Sequence, residues 1–251
     1  MVVGRNGAAP ACVVVDLNTQ ADFLLPQGAC PVANAEELIP AIRHIVAWTK
    51  RNHVPVISSL SSHREREIES DSTVRCCVDG TNGQRKLVFT LMGTSVRVEG
   101  DNTLSVPIDL FRRYQQVIFR QRTKDLFANP KADRFLTQLN TGRFILYGVA
   151  LETAVKSLAL GLLTRNRPVT VVSDACGYWS RVEANLALRQ MAAKGVKVLT
   201  VGELLREKLP RKHRYPHRSP ANGNGNGANR RTCCKRPNGA GRVADRRRSP
   251  T

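Results

Sequence analysis

Short apolar, β-branched runs alternate with helix-patterned stretches along most of the chain, and that alternation leaves few folds open. The runs are residues 11–15 (ACVVV), 54–60 (VPVISSL), 116–120 (QVIFR), 144–147 (FILY), 168–173 (PVTVVS) and 196–201 (VKVLTV). Runs of this length, apolar on both faces, suit strands buried from both sides, which is the environment of a parallel sheet. Between them lie helical patterns. Leu38, Ile39, Ile42, Ile45, Val46 and Thr49 recur at helical spacing after the candidate cap Asn34, and Pro40 falls near the first turns. Asn129 followed by Pro130 is a favourable helix start, and Ser180 opens another. The expectation is a three-layer α/β domain over residues 10–208, with a six-stranded, mostly parallel sheet and helices on both faces. A hydrophobic content of 41% is enough for its core. Residues 61–106 are the least periodic part and read as irregular pieces over the top of the sheet.

Residues 209–251 have another character. From Arg206 to the last residue there are 14 Lys and Arg against 2 acidic residues, a charge of +12, which leaves +7 of the total +19 for the rest. The segment is nearly free of apolar side chains and contains the repeat ANGNGNGAN, so it is expected to be a disordered basic tail. Its Arg and Lys side chains suit weak, salt-sensitive nucleic-acid contacts, but Tyr215 is its one aromatic, so it has no stacking platform. The seven cysteines are an odd number, residues 1–10 lack the apolar core of a secretion signal, and no apolar run is long enough to span a bilayer. A cytoplasmic protein with reduced thiols and no membrane segment is expected.

In a parallel sheet, ligands bind where strands end and helices begin. The stretch RFILYGVALETAVK at 143–156 is a strand, a tight turn at Gly148-Val149-Ala150 and a helix whose first amides can hold an anion. Asp16 follows the first strand run and Lys124 the third, so both are expected on the same rim. There a carboxylate and an ammonium can share a proton. Each also has an ordinary reading, Asp16 as a turn former and Lys124 as a solvated charge.

Four segments, in order, carry a resemblance: VVVDLNTQADFL at 13–24, RTKDLFANP at 122–130, GVALETAVKSLALGLL at 148–163 and VVSDACG at 171–177. The chain resembles the isochorismatase-like hydrolases, the superfamily of nicotinamidases, N-carbamoylsarcosine amidases and isochorismatases. The resemblance implies a small-molecule substrate, frequent homo-oligomers, a cis peptide between Val149 and Ala150, and substrate contacts from Val149, Ala150 and Phe23. It also implies an Asp–Lys–Cys triad, with Asp16 and Lys124 as the first two members. The nucleophile position falls on Ala154, which has no chemistry to offer. Of the metal-binding residues common in nicotinamidases, His63 is a remnant and Cys76 stands at the second histidine position, too few for a metal centre, so no cofactor is expected. Two functions remain. One is a thiol-independent hydrolase of a small amide or vinyl ether, with Asp16 as acid/base and Lys124 beside it. The other is an inactive member kept for ligand or protein binding.

Overall fold

The computed structural model describes residues 10–65, 75–101, 103–107 and 109–209. The segment read as a basic tail lies, from residue 210 on, outside the described residues.

The sheet is built from β1 (Val13–Leu17), β2 (Val56–Ser61), β3 (Ser95–Val98), β4 (Gln116–Gln121), β5 (Phe144–Val149), β6 (Val169–Gly177) and β7 (Lys197–Leu199). Every pairing is parallel, in the order β3-β4-β2-β1-β5-β6-β7. The parallel α/β architecture expected from the strand pattern is present, with seven strands where six were expected. The additional strand, β3, has four residues and half-exposed side chains at the sheet edge, so it carries no apolar run. β7, the other edge, has three residues, with Lys197 exposed and Val198 and Leu199 partly buried.

Alternating side chains of β1 feed two separate cores. Val13, Val15 and Leu17 pack with Phe135 and Leu136 of α3 (Pro130–Gln138), Leu158 and Leu162 of α4 (Lys156–Thr164) and Met191 of α5 (Arg181–Ala193). Cys12 and Val14 pack with Leu38, Ile42 and Ile45 of α2 (Ala35–Arg51) and Leu204 of α6 (Val201–Arg206). A one-residue slip would exchange the two sets, so register is strongly specified. A short helix, α1 (Ala21–Leu24), follows β1.

Asn34 stands at the start of α2 but caps it with no side-chain bond. Its Nδ2 donates to Cys176 O (3.1 Å) and its Oδ1 accepts from Tyr178 N–H (3.1 Å). The side chain expected to finish a helix instead ties that helix to the end of β6. β6 itself runs to Gly177, beyond Asp174, whose carboxylate accepts from Val201 N–H (2.7 Å) at the start of α6. Among the described residues no helix is long and apolar enough to cross a membrane.

Candidate functional site

The carboxyl ends of β1, β2, β4 and β5 surround a cavity of about 340 Å³. Its floor is Asn18, just past β1; Ser61, the last residue of β2; Gln121, the last of β4; and Val149 of β5. The peptide between Val149 and Ala150 is cis. Ala150 O then accepts from Val155 N–H (3.1 Å) across a wide first turn, which brings Thr153 and Ala154 onto the cavity wall. Phe23 and Trp179 form another wall, their rings edge to face at 5.9 Å. Glu152 holds Trp179 in place: its Oε1 accepts from Trp179 N–H (2.8 Å). Gly148 makes this turn possible, with φ +121° and Leu17 O 2.0 Å from where a Cβ would sit.

Four of the residues expected at the site meet there as a group: Phe23, Val149, Ala150 and Ala154. The acid–base pair is arranged differently. Asp16 lies inside β1, has no exposed surface and does not line the cavity. Its Oδ2 is 2.9 Å from Lys86 Nζ and accepts from Ser58 Oγ (3.1 Å), while Oδ1 accepts from Thr19 Oγ1 (2.8 Å). Lys86 Nζ also donates to Thr19 Oγ1 (2.7 Å). The ammonium beside Asp16 is therefore that of Lys86, in place of the expected Lys124. The cause is local. Residues 85–87 pair with residues 19–21 through Ala21 N–H to Arg85 O (2.9 Å) and Leu87 N–H to Thr19 O (3.0 Å), which swings Lys86 beneath the loop after β1. Burial pushes Lys86 below the usual ammonium range, against the pull of Asp16. Lys124 is exposed and lines the mouth of the cavity with Arg122.

The side chains that do meet beside Ala154 are amides. Asn18 Nδ2 donates to Val149 O (3.0 Å), and its Oδ1 accepts from Ser59 Oγ (2.6 Å) and Gln121 Nε2 (3.1 Å). This network needs a group that donates on one side and accepts on the other. A carboxylate at residue 18 would set an oxygen against the Val149 carbonyl. Gln121 Oε1 is buried and has no hydrogen-bond partner among the described residues. Sequence reasoning missed both amides, because it did not fix where the strands end. Asn18 is the first residue beyond β1 and Gln121 the last of β4, whereas Asp16 is within its strand and Lys124 is past the end of its own. Asn18 adopts φ +49°, a conformation that Asn tolerates better than most residues.

At the metal-binding position, Ser61 Oγ lies 3.0 Å from His63 Nε2. Among the described residues no group of three or more His, Cys, Asp or Glu side chains is arranged to hold a metal ion. The donor set does not fit a metal.

A profile of the isochorismatase domain matches residues 10–203. The chain belongs to the isochorismatase family. Its fold is that of solved family structures. A pyrazinamidase of Pyrococcus horikoshii in complex with zinc superposes with a TM-score of 0.61 at 22% identity, over 76% of this chain and 99% of the other. An isochorismatase family protein from Desulfovibrio vulgaris gives 0.62 at 17% identity, over 78% and 96%. A ribonuclease from Caenorhabditis elegans gives 0.54 at 16% identity, over 79% and 81%. At these identities the likeness is one of fold. No curated protein matches the chain at a significant level.

Proposed function

We propose that this isochorismatase-family chain binds a small planar carboxamide or carboxylate and does not hydrolyse it. The observation that carries this reading is the neutral group Asn18–Gln121–Ala154 lining the cavity. Acyl transfer in the amidase branch needs an acid, an ammonium and a thiol in contact, and here two amides and a methyl group occupy that space. Gln121 Oε1 is a buried acceptor without a hydrogen-bond partner among the described residues, so a ligand N–H that uncovers it gains a hydrogen bond. The Phe23–Trp179 pair suits the face and edge of a ring, and Arg122 and Lys124 at the mouth favour a negative substituent. The alternative, a hydrolase driven by Asp16, is less well supported because its carboxylate is turned away from the cavity and spent on three partners.

Calorimetry on the full chain with nicotinamide, nicotinate and benzoate, beside a hydrolysis assay on nicotinamide, tests this. Binding is expected without turnover, and Trp179→Ala should weaken it by about tenfold, the size of a lost aromatic contact. Ala154→Cys alone should remain inactive, because the Asn18 and Gln121 amides cannot take the thiol's proton. The triple variant Asn18→Asp/Gln121→Lys/Ala154→Cys is the one in which amidase activity can emerge. Wild-type turnover that disappears in Asp16→Asn would overturn the reading.

A second reading concerns the excess of positive charge after Arg206. We propose that residues 210–251 add weak, sequence-independent nucleic-acid affinity. Filter binding to single-stranded RNA should fall steeply with salt and disappear in a chain ending at Leu209. Equal binding by both forms would remove the tail from consideration.

A further inference from the structure

Three thiols gather at the edge of the cavity, and the Asn18–Gln121–Ala154 group makes no use of them. One carboxylate brings them there. Asp22 Oδ1 accepts from Ala29 N–H (3.0 Å) and Oδ2 from Cys77 N–H (2.6 Å). Asp22 O accepts from Cys30 N–H (3.1 Å), and Trp179 Nε1–H donates to Cys30 O (3.3 Å). The loop at Gly83 presses on the same carboxylate so closely that a Cβ there would fall 2.0 Å from Asp22 Oδ1. Two segments distant in sequence are thus fixed against each other. Cys30 and Cys76, both half-buried, line the same cavity wall, and the fully buried Cys77 follows Cys76 directly.

We propose that Cys30 and Cys76 are an oxidation-sensitive dithiol site that closes to an intrachain disulfide on the cavity wall when the protein meets a peroxide. The Cys76 thiolate attacks the O–O bond and takes one hydroxyl as sulfenic acid, and the other oxygen leaves as water. The Cys30 sulfur then displaces that hydroxyl, the S–S bond forms and a second water leaves. Two electrons pass from the two thiols to the peroxide, and the two thiol protons end in the two waters. With both segments fixed by Asp22, Cys76 is the attacking member: the neighbouring Cys30 and Cys77 thiols hold its thiol below the usual range, while Cys30 is raised. Cys12 and Cys176 sit in the core, pushed up by burial to about 11 and about 12, and serve as internal controls. This site stands apart from the ligand reading, since its readout is thiol chemistry alone.

The test uses the reduced full-length chain, treated with equimolar hydrogen peroxide, alkylated, digested without reductant and mapped by mass spectrometry. A Cys30–Cys76 peptide pair should dominate and vanish on dithiothreitol treatment. Cys30→Ser and Cys30→Ala, checked for folding by circular dichroism, should leave a Cys76 sulfenic acid that dimedone traps. Cys76→Ser should slow peroxide consumption at least tenfold. A dominant Cys76–Cys77 link, a link to Cys233 or Cys234, or unchanged alkylation of Cys30 and Cys76 after peroxide would each overturn the proposal.

Discussion

A carboxylate without exposed surface loses several kcal/mol of hydration, and it persists only where partners replace the water. Asp16 has an ammonium and two hydroxyls for that purpose, and Lys86 has Asp16 and Thr19. Removing one partner strands the other, so Lys86→Met should destabilise the chain by about 3–5 kcal/mol in urea denaturation. Asp16→Leu combined with Lys86→Met should cost much less than the two single changes added together, because no charge is left unpaired. Additive losses would show that the two side chains act separately. The sequence displayed Asp16, a charge at the end of an apolar run, but it could not display Lys86 as its partner. Nothing in the aperiodic stretch around residue 86 indicates that this lysine turns inward, since the cause is a pairing with residues 19–21. Ala154 was legible through the family resemblance, which sets the nucleophile position four residues past Ala150. Asn18 was not, because a single residue at φ +49° decides which side chain faces the cavity.

Among the elements, the strands buried on both faces announced themselves, since only a core on each side calls for such uninterrupted apolar runs. β3 gave no such signal because one of its faces, Ser95 and Arg97, is exposed and the other, Val96 and Val98, is only partly buried. The end of α6 shows how elements are tied together. Glu207, just past that helix, pairs with Arg143 ahead of β5 and with Lys197 of β7 (2.9 Å). The Arg143 hydrogen bond, with help from Lys197, holds the Glu207 carboxyl below its usual 4.5. A carboxyl lowered in the folded state adds stability that is present above its unfolded value and lost as the pH falls through its folded one. Glu207→Gln should therefore cost about 0.5–1 kcal/mol at neutral pH, roughly 1–4 °C in Tm for a domain of this size. The gap between variant and wild type should close below pH 4. A gap that stays constant down to pH 3 would mean that Glu207 acts through packing instead.

At the scale of the whole domain, the chain places β1 and β5 side by side and then builds outward in both directions, β2, β4 and β3 on one flank and β6 and β7 on the other. A crevice opens where the direction of building reverses, and the cavity lies at the carboxyl ends of the strands that flank it. This location follows from strand alternation alone, so the site could be anticipated even though its chemistry could not. The same order fixes what borders the sheet. Both outermost strands are brief and charged, with Arg97 in β3 and Lys197 in β7. Exposed main-chain N–H and C=O groups on such a rim would otherwise template a neighbouring chain, and short charged edges blunt that tendency. The sheet is thereby closed to growth by strand addition on either side. Association of copies edge to edge is disfavoured, and the framework around the cavity resists runaway cross-β stacking.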